Sequence, residues 1–255
     1  MNLISHGVPS DWHELQEEVA QILGECGMRS AVDVEVKTAR GSVKVDVVAE
    51  DNSRTPPVVI LCECKLWKQS VRQSVVHSFR TVVNDSGASL GLVISPRRAQ
   101  RGAYEATEHS NVRVLSWAEF QAMFEERWTR NYLLTVLSRE SHALVEYTQP
   151  ILRIKRKARN LPPAERAQFA KLRKRHVGAA FFAMAPCYAS PEGKATLGVP
   201  QLPIRTGQAG LSARFVSGLP ASVVAASYLR DFLDVYVSHL HEATAEFDAL
   251  FGERA

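Results

Sequence analysis

Asp46 and the triplet Glu63-Cys64-Lys65 are charged positions set into otherwise apolar runs, Val43 to Val48 and Val58 to Lys65. An unpaired charge in such a setting is expensive, so these residues call for a chemical use. Side chains alternate along a strand, which sends Glu63 and Lys65 to one face and Cys62 and Cys64 to the other. If the strand carrying Asp46 pairs with the one carrying Glu63, the two carboxylates meet on that face. They would offer hard oxygen ligands to Mg2+, with Mn2+ as a substitute, and leave positions for water and a phosphate oxygen. The backbone carbonyl of Cys64 can add another ligand. A metal held there would offset charge developing on a phosphate under attack and lower the pKa of the attacking water. Lys65 would orient that water and balance negative charge. This is the chemistry of phosphodiester hydrolysis, leaving a 5′-phosphate and a 3′-hydroxyl by the usual direction of attack.

Other residues of chemical interest weigh less. Gln73 falls one or two turns into a helix after the Glu-x-Lys strand, where it can touch the water or the phosphate, or serve as a plain cap. Arg97, Arg98 and Arg101 follow a strand that ends at Ser95 and begin a helix, a place suited to phosphate contacts and equally to a solvated turn. Trp67 is expected to pack beneath the strand rather than stack on a base. Cys62 and Cys64, with Cys26 and His77, could suggest zinc, but two cysteines on one strand face against an apolar core explain the pair without metal. His13, His77 and His109 lack the neighbouring nucleophile that would make them general bases.

The elements that must position Asp46 and Glu63 are legible as alternating patterns. A helix is expected from about Asp11 to Gly24, with Ser10 and Asp11 as caps and Trp12, Leu15, Val19, Ile22 and Leu23 at helical spacing. Val32, Val34 and Val36 alternate with Asp33, Glu35 and Lys37 as in a half-buried strand, and a turn at Arg40-Gly41-Ser42 leads into the strand Val43 to Val48. A polar loop precedes Val58 to Lys65, which is apolar on both faces until Glu63 and so reads as a central strand. A helix from Ser70 to Val83, a strand Leu90 to Ser95, a helix Gln100 to Glu108 and a strand Val112 to Leu115 follow. Helix, three strands, helix, strand, helix, strand is the order of an α/β layer with a mixed sheet flanked by helices.

These residues resemble the PD-(D/E)XK nuclease superfamily, and more narrowly the Mrr-like type IV restriction endonucleases. Asp46 in Val45-Asp46-Val47, then Glu63-Cys64-Lys65, Trp67 and the helix with Val71, Gln73 and Val76 carry the likeness, which runs through Gly91-Leu92-Val93-Ile94-Ser95 and spans roughly residues 10 to 128. The resemblance implies a restriction-endonuclease-like core with a mixed four-stranded sheet and Mg2+-dependent cleavage of DNA. It also implies a further acidic metal ligand from the first helix, for which Glu17 stands here, with Gln16 in a closely related position. The proline of the superfamily motif is absent, Val45 standing before Asp46. By family analogy the setting is restriction or anti-phage defence, with a defence-system protein as a further partner.

The whole chain has 255 residues, 45% of them hydrophobic and 23% charged, which suits a folded protein with sizeable cores. Its apolar runs are strand-length, so neither a membrane span nor a secretory signal is expected. Four cysteines without framework spacing fit a reducing cytoplasm. The domain boundary is expected between 125 and 150, giving a nuclease domain over 1–130 and a mainly helical domain over 131–255. The net charge of +4 is unevenly spread: from Ile151 to Ala180 ten Lys/Arg stand against Glu165, so that stretch carries +9 and the remainder −5. Arg153, Lys155, Arg156, Lys157, Lys171, Arg173, Lys174 and Arg175 are thereby expected to hold DNA phosphates, although a solvated helix looks similar. Pro162-Pro163 starts a helix, Pro186 to Pro220 reads as a long loop, and Leu229, Leu233, Tyr236, Leu240, Ala243, Phe247 and Leu250 form a heptad seam. That seam is expected to pair with the long helix near 120–148 or with a second protomer, the latter favouring a homodimer. A repair or junction-resolving nuclease and a catalytically silent DNA-binding module remain the alternatives to a restriction enzyme.

Overall fold

The computed structural model describes residues 2–66, 70–96, 99–184, 201–205, 216 and 218–252. Trp67, Arg97, Arg98, Cys187 and most of the stretch read as a long loop lie outside the described residues. The chain divides into two compact units, His6–Tyr132 and Leu133–Ala255, the second joined by Met1–Ser5. The five N-terminal residues thus cluster away from the sheet domain to which the sequence reading assigned them: the Leu3 carbonyl accepts from Leu229 N–H at 2.9 Å.

In the first unit α1 (Trp12–Glu25) begins where Asp11 accepts from Glu14 N–H. The strands are β1 (Arg29–Thr38), β2 (Gly41–Asp51), β3 (Val58–Cys64), β4 (Leu90–Ser95) and β5 (Val112–Ser116), and the helices α2 (Gln73–Ser86), α3 (Arg101–Glu105) and α4 (Trp117–Trp128) alternate with the last of them. The sheet has five strands in sequence order, β1 to β3 antiparallel and β3 to β5 parallel, one more than the four-stranded core implied by the resemblance. It is a mixed, restriction-endonuclease-like sheet with β3 at its centre. Val76, Phe79 and Val83 of α2 and Ala103 of α3 cover one face, against Leu61, Val93, Val112 and Val114. Buried Leu15, Val19, Ile22 and Leu23 of α1 and Phe120 and Phe124 of α4 form the core on the other.

Strict alternation fails along β2. Val45, with Val43 packed against it, joins the cluster beneath α2, and so does Val48, although an odd and an even position should face opposite ways. The flanking pairs Val32–Val47 and Val34–Val45 put Asp33 opposite Asp46, and Asp33 has φ of 56°, a left-handed conformation that Asp tolerates better than most side chains. Consequently Val32 lies exposed, and the expected Val32-Val34-Val36 stripe stops at the kink.

Through a π-helical turn, Thr129–Leu133, the chain enters the second unit: α5 (Leu134–Thr148), α6 (Leu152–Arg159), α7 (Pro163–Met184), α8 (Ala221–Ala225) and α9 (Leu229–Phe251). The heptad seam is the inner face of α9. Tyr236 donates its hydroxyl to the Ala179 carbonyl on α7, and Tyr147 of α5 stacks on Phe247 at 4.9 Å while donating to Asp248. Leu229, Leu233, Tyr236, Leu240, Ala243 and Phe247 are all buried this way. The seam is therefore covered by α5 and α7 of the same chain, and the apolar stripe that favoured a second protomer is not there to be covered.

Two expected outcomes follow from this packing. A Cβ at Gly91 would stand 2.6 Å from Val83 Cγ2 and 3.1 Å from Phe79 Cε1. Gly91→Ala should overpack the α2–sheet layer at a cost of ~1–3 kcal/mol, lowering the melting temperature by roughly 3 to 10 °C; an unchanged melt would show that α2 lifts freely. Between α7 and α9, the buried His176 and the half-buried His239 each have an Nε2 without a hydrogen-bond partner among the described residues. Burial, then the neighbouring His176, holds His239 below the ordinary imidazole value of 6.5, with Arg175 acting the same way and Glu242 and Glu246 opposing. The unfolded chain then binds the proton more readily, so the stability this group contributes is complete above pH 6.5 and is lost as the pH falls through its folded value. Urea midpoints should drop between pH 7.5 and 5.5 more steeply for the wild type than for His239→Asn, and equal slopes would remove His239 from the acid response.

Candidate active site

The β2–β3 ladder runs from Asp51–Val58 to Val47–Cys62 and stops there. One step further, Asp46 and Glu63 come opposite each other where the strands part. Instead of a ladder carbonyl, the Asp46 carboxylate takes the next amide: Cys64 N–H donates to Oδ2 at 2.7 Å. On its other side β3 stays paired, with Lys65 N–H donating to the Ile94 carbonyl at 2.8 Å. The end of the central strand is thus fixed by β4 and by one carboxylate.

Glu63 and Lys65 share a face and form an ion pair, Nζ to Oε1 2.5 Å, with side chains 23% and 19% exposed. Burial pushes the Glu63 carboxyl above its ordinary value, the Lys65 ammonium pulls it back, and the Asp46 charge adds to the rise. A cation at this point would relieve both the burial and the repulsion between carboxylates. On the opposite face Cys62 and Cys64 are buried, and burial raises both thiols, so they stay protonated within the apolar layer.

The other residues singled out from sequence fall elsewhere. Glu17 is exposed on α1, and no hydrogen bond or ion pair links it to Asp46 or Glu63 among the described residues; its neighbour Gln16 is the buried one, its amide nitrogen without a partner. Gln73 opens α2 and is exposed, its amide donating to His77 Nε2 at 3.1 Å. Its neighbours Ser74 and Ser78, not it, border the cavity beside Glu63 and Lys65. Arg101 is exposed and paired with Glu105 at 2.7 Å.

Three of the ten cations of the basic run link helices of this unit. Arg173 donates through Nε and Nη2 to the Thr148 carbonyl, both at 3.1 Å, which caps the end of α5, and its guanidinium lies over Phe169. Arg175 pairs with Glu246 at 3.2 Å and Arg153 with Glu146 at 3.1 Å. Lys157 is half-buried and also has a partner. Lys155, Arg156, Lys171 and Lys174 are exposed and take no ion pair among the described residues.

Residues 9–124 match the family Mrr_cat, described as restriction endonuclease. No curated protein matches the chain. Two solved structures are similar in part. A protein of unknown function, AF1548, is 15% identical, with 66% of this chain and 99% of that one covered at a TM-score of 0.38. The MspJI restriction endonuclease, solved in complex with a 27-mer oligonucleotide, is 17% identical, with 48% of this chain and 29% of that one covered at a TM-score of 0.32.

The geometry separates two roles for Asp46. Asp46→Asn keeps an oxygen for Cys64 N–H and removes a charge that burdens Glu63, so its melting temperature should equal or exceed that of the wild type. Asp46→Ala leaves the amide without its partner and should cost about 1–3 kcal/mol. Identical melts for the two variants would show that the bond to Cys64 contributes nothing to stability.

Proposed function

We propose, from the match of residues 9–124 to a restriction endonuclease family, that this protein is a metal-dependent endonuclease that hydrolyses DNA phosphodiester bonds. The observation that carries the reading is the convergence of Asp46, Glu63 and Lys65 at the point where β2 and β3 part.

The donor set suits Mg2+. Asp46, Glu63 and the Cys64 carbonyl supply only oxygen, and no cluster of three or more His, Cys, Asp or Glu among the described residues could hold an ion unaided. A divalent ion here must complete its shell with water and phosphate oxygens, the habit of Mg2+, which Mn2+ can share. A metal preferring three or four nitrogen or sulfur ligands does not fit. When bound, the ion would supply Lewis acidity towards the scissile phosphate and acidify the attacking water. The chain's own part is positional: the Cys64 amide fixes one carboxylate oxygen of Asp46, and Lys65 holds Glu63 and presents its ammonium to the water and to the charge that grows on the phosphate.

We assign non-specific phosphate contacts to Lys155, Arg156, Lys171 and Lys174, which exposure and the absence of ion pairs leave available. Arg173, which caps α5, is better read as a strut, while Arg153 and Arg175 form exposed ion pairs with Glu146 and Glu246. Restriction or anti-phage defence in the cytoplasm is the setting we infer; the family description supports the first, and Cys26, Cys62 and Cys64, buried and free among the described residues, agree with the second.

Purified protein should cut plasmid or phage DNA with Mg2+ or Mn2+ and not with EDTA, and Asp46→Asn and Lys65→Ala should each lower the rate roughly 100-fold or more while remaining folded. Cleavage by Asp46→Asn at the wild-type rate would remove Asp46 from the reaction. Strong preference for branched DNA would point to junction resolution, and binding without cleavage to a silent module. Neutralising Lys155, Arg156, Lys171 and Lys174 together should weaken binding to all duplexes alike and flatten the dependence of log affinity on log salt by roughly three to four units; an unchanged slope would take these four out of the DNA interface.

A further inference from the structure

Beside the Glu63–Lys65 pair lies a cavity of about 330 Å³ between β2 and α2. Its walls are apolar: Val43 and Val45 from β2, Val75, Phe79 and Val82 from α2. Its polar groups are Glu63 and Lys65 themselves, Lys44, and Ser74 and Ser78, one helical turn apart on α2. Neither hydroxyl is engaged in a hydrogen bond among the described residues. Val43 and Val45 pack against the cluster beneath α2, so both valines of this stretch of β2 border the space.

We propose that this cavity is a nucleoside subsite, receiving the sugar and base of the nucleotide next to the scissile phosphate, so that the strand is cut with that nucleotide drawn out of the base stack. The proposal rests on the nuclease reading. The occupant follows from what the cavity borders and what lines it. A phosphate held at Glu63 and Lys65 places the adjoining nucleoside within reach of the opening. The volume stands at the lower end of ligand pockets, enough for one such group and too small for a base pair. Valine and phenylalanine side chains suit the faces of a base and the carbons of deoxyribose, while two unengaged hydroxyls, each both donor and acceptor, can meet the polar edge of any base. Such a site reads little sequence. It selects instead for a nucleotide already free of its partner, since unpairing and unstacking must be overcome in an intact duplex and not in an open one.

The test uses the full-length protein and three DNAs of one sequence: a paired duplex, the same duplex with a short unpaired bubble, and the single strand. With Mg2+, kcat/KM for the bubble should exceed that for the duplex by roughly ten-fold or more. Ser78→Phe, which places a ring in the cavity from an exposed helix position, should abolish that preference, whereas Ser78→Ala, which removes one hydroxyl and leaves the space open, should reduce it less. A second readout does not depend on cleavage. With Ca2+ in place of Mg2+ and 2-aminopurine at successive bubble positions, wild-type protein should change the fluorescence saturably, and Ser78→Phe should bind by anisotropy without that change. Equal kcat/KM for bubble and duplex, or binding without any fluorescence change in the wild type, overturns the subsite and leaves the nuclease reading standing. A fluorescence change with no cleavage of any substrate overturns the nuclease reading and upholds a nucleoside pocket. Failure to bind all three DNAs overturns both.

Discussion

The hydrogen bond from Cys64 N–H to Asp46 decides how the sheet ends and what can happen there. A buried backbone amide must find an acceptor. Had β2 continued in register, a ladder carbonyl would have met that need, and Glu63 would have stood over a closed sheet. By offering a carboxylate oxygen instead, Asp46 lets the strands separate without leaving the amide unpaired, and the separation opens the edge at which Glu63 and Lys65 project. Burial raises the protonation tendency of Glu63, Lys65 opposes it, and the Asp46 charge adds a smaller rise.

That arrangement needs β2 and β3 to be held firmly elsewhere. At its far end β2 is tied by Asp51, whose carboxylate pairs with Arg127 of α4 at 2.5 Å and accepts from Ser53. Arg127 and Ser53 hold the Asp51 carboxyl well below the usual carboxylate range. Arg127 also donates to the Cys26 carbonyl at the end of α1, so one guanidinium joins a strand and two helices. Breaking a buried pair of this kind leaves an uncompensated charge and is far costlier than its net contribution to stability. On the other face, the missing side chain of Gly91 lets Val83 and Phe79 of α2 rest directly on β4. With both ends of the layer fixed, the kink at Asp33 and Asp46 is confined to the middle of the hairpin.

Much of this was readable from residue order. The run Val58 to Cys64 is apolar on both faces until Glu63, and only a central strand buries both faces, so β3 and the direction of Glu63 and Lys65 followed from alternation alone. Leu90 to Ser95 appears with the expected bounds for the same reason. The kink did not follow, because alternation was the tool and alternation is what fails at Asp46. Nor did Ser74 and Ser78 draw notice: exposed serines on an amphipathic helix carry no signal until the neighbouring strand turns its valines towards them. Arg153, Arg173 and Arg175 were read as a charge run, since sequence shows the sign of a side chain and not the carbonyl or carboxylate it will meet across a helix pair.

This last distinction bears on how the helical unit can act. A stripe of ten cations looks like one surface, yet the structure sorts it by geometry. Arg173 is held in a two-nitrogen fork on Thr148, a use to which the planar guanidinium is suited and an ammonium is not. What remains exposed without ion pairs among the described residues is an even mixture, Lys155, Lys171 and Lys174 with Arg156, Arg159 and Arg166. On the proposed nuclease reading, selection among DNAs falls to the geometry around Glu63 and Lys65, which favours a strand able to present its phosphate to the open edge of β3.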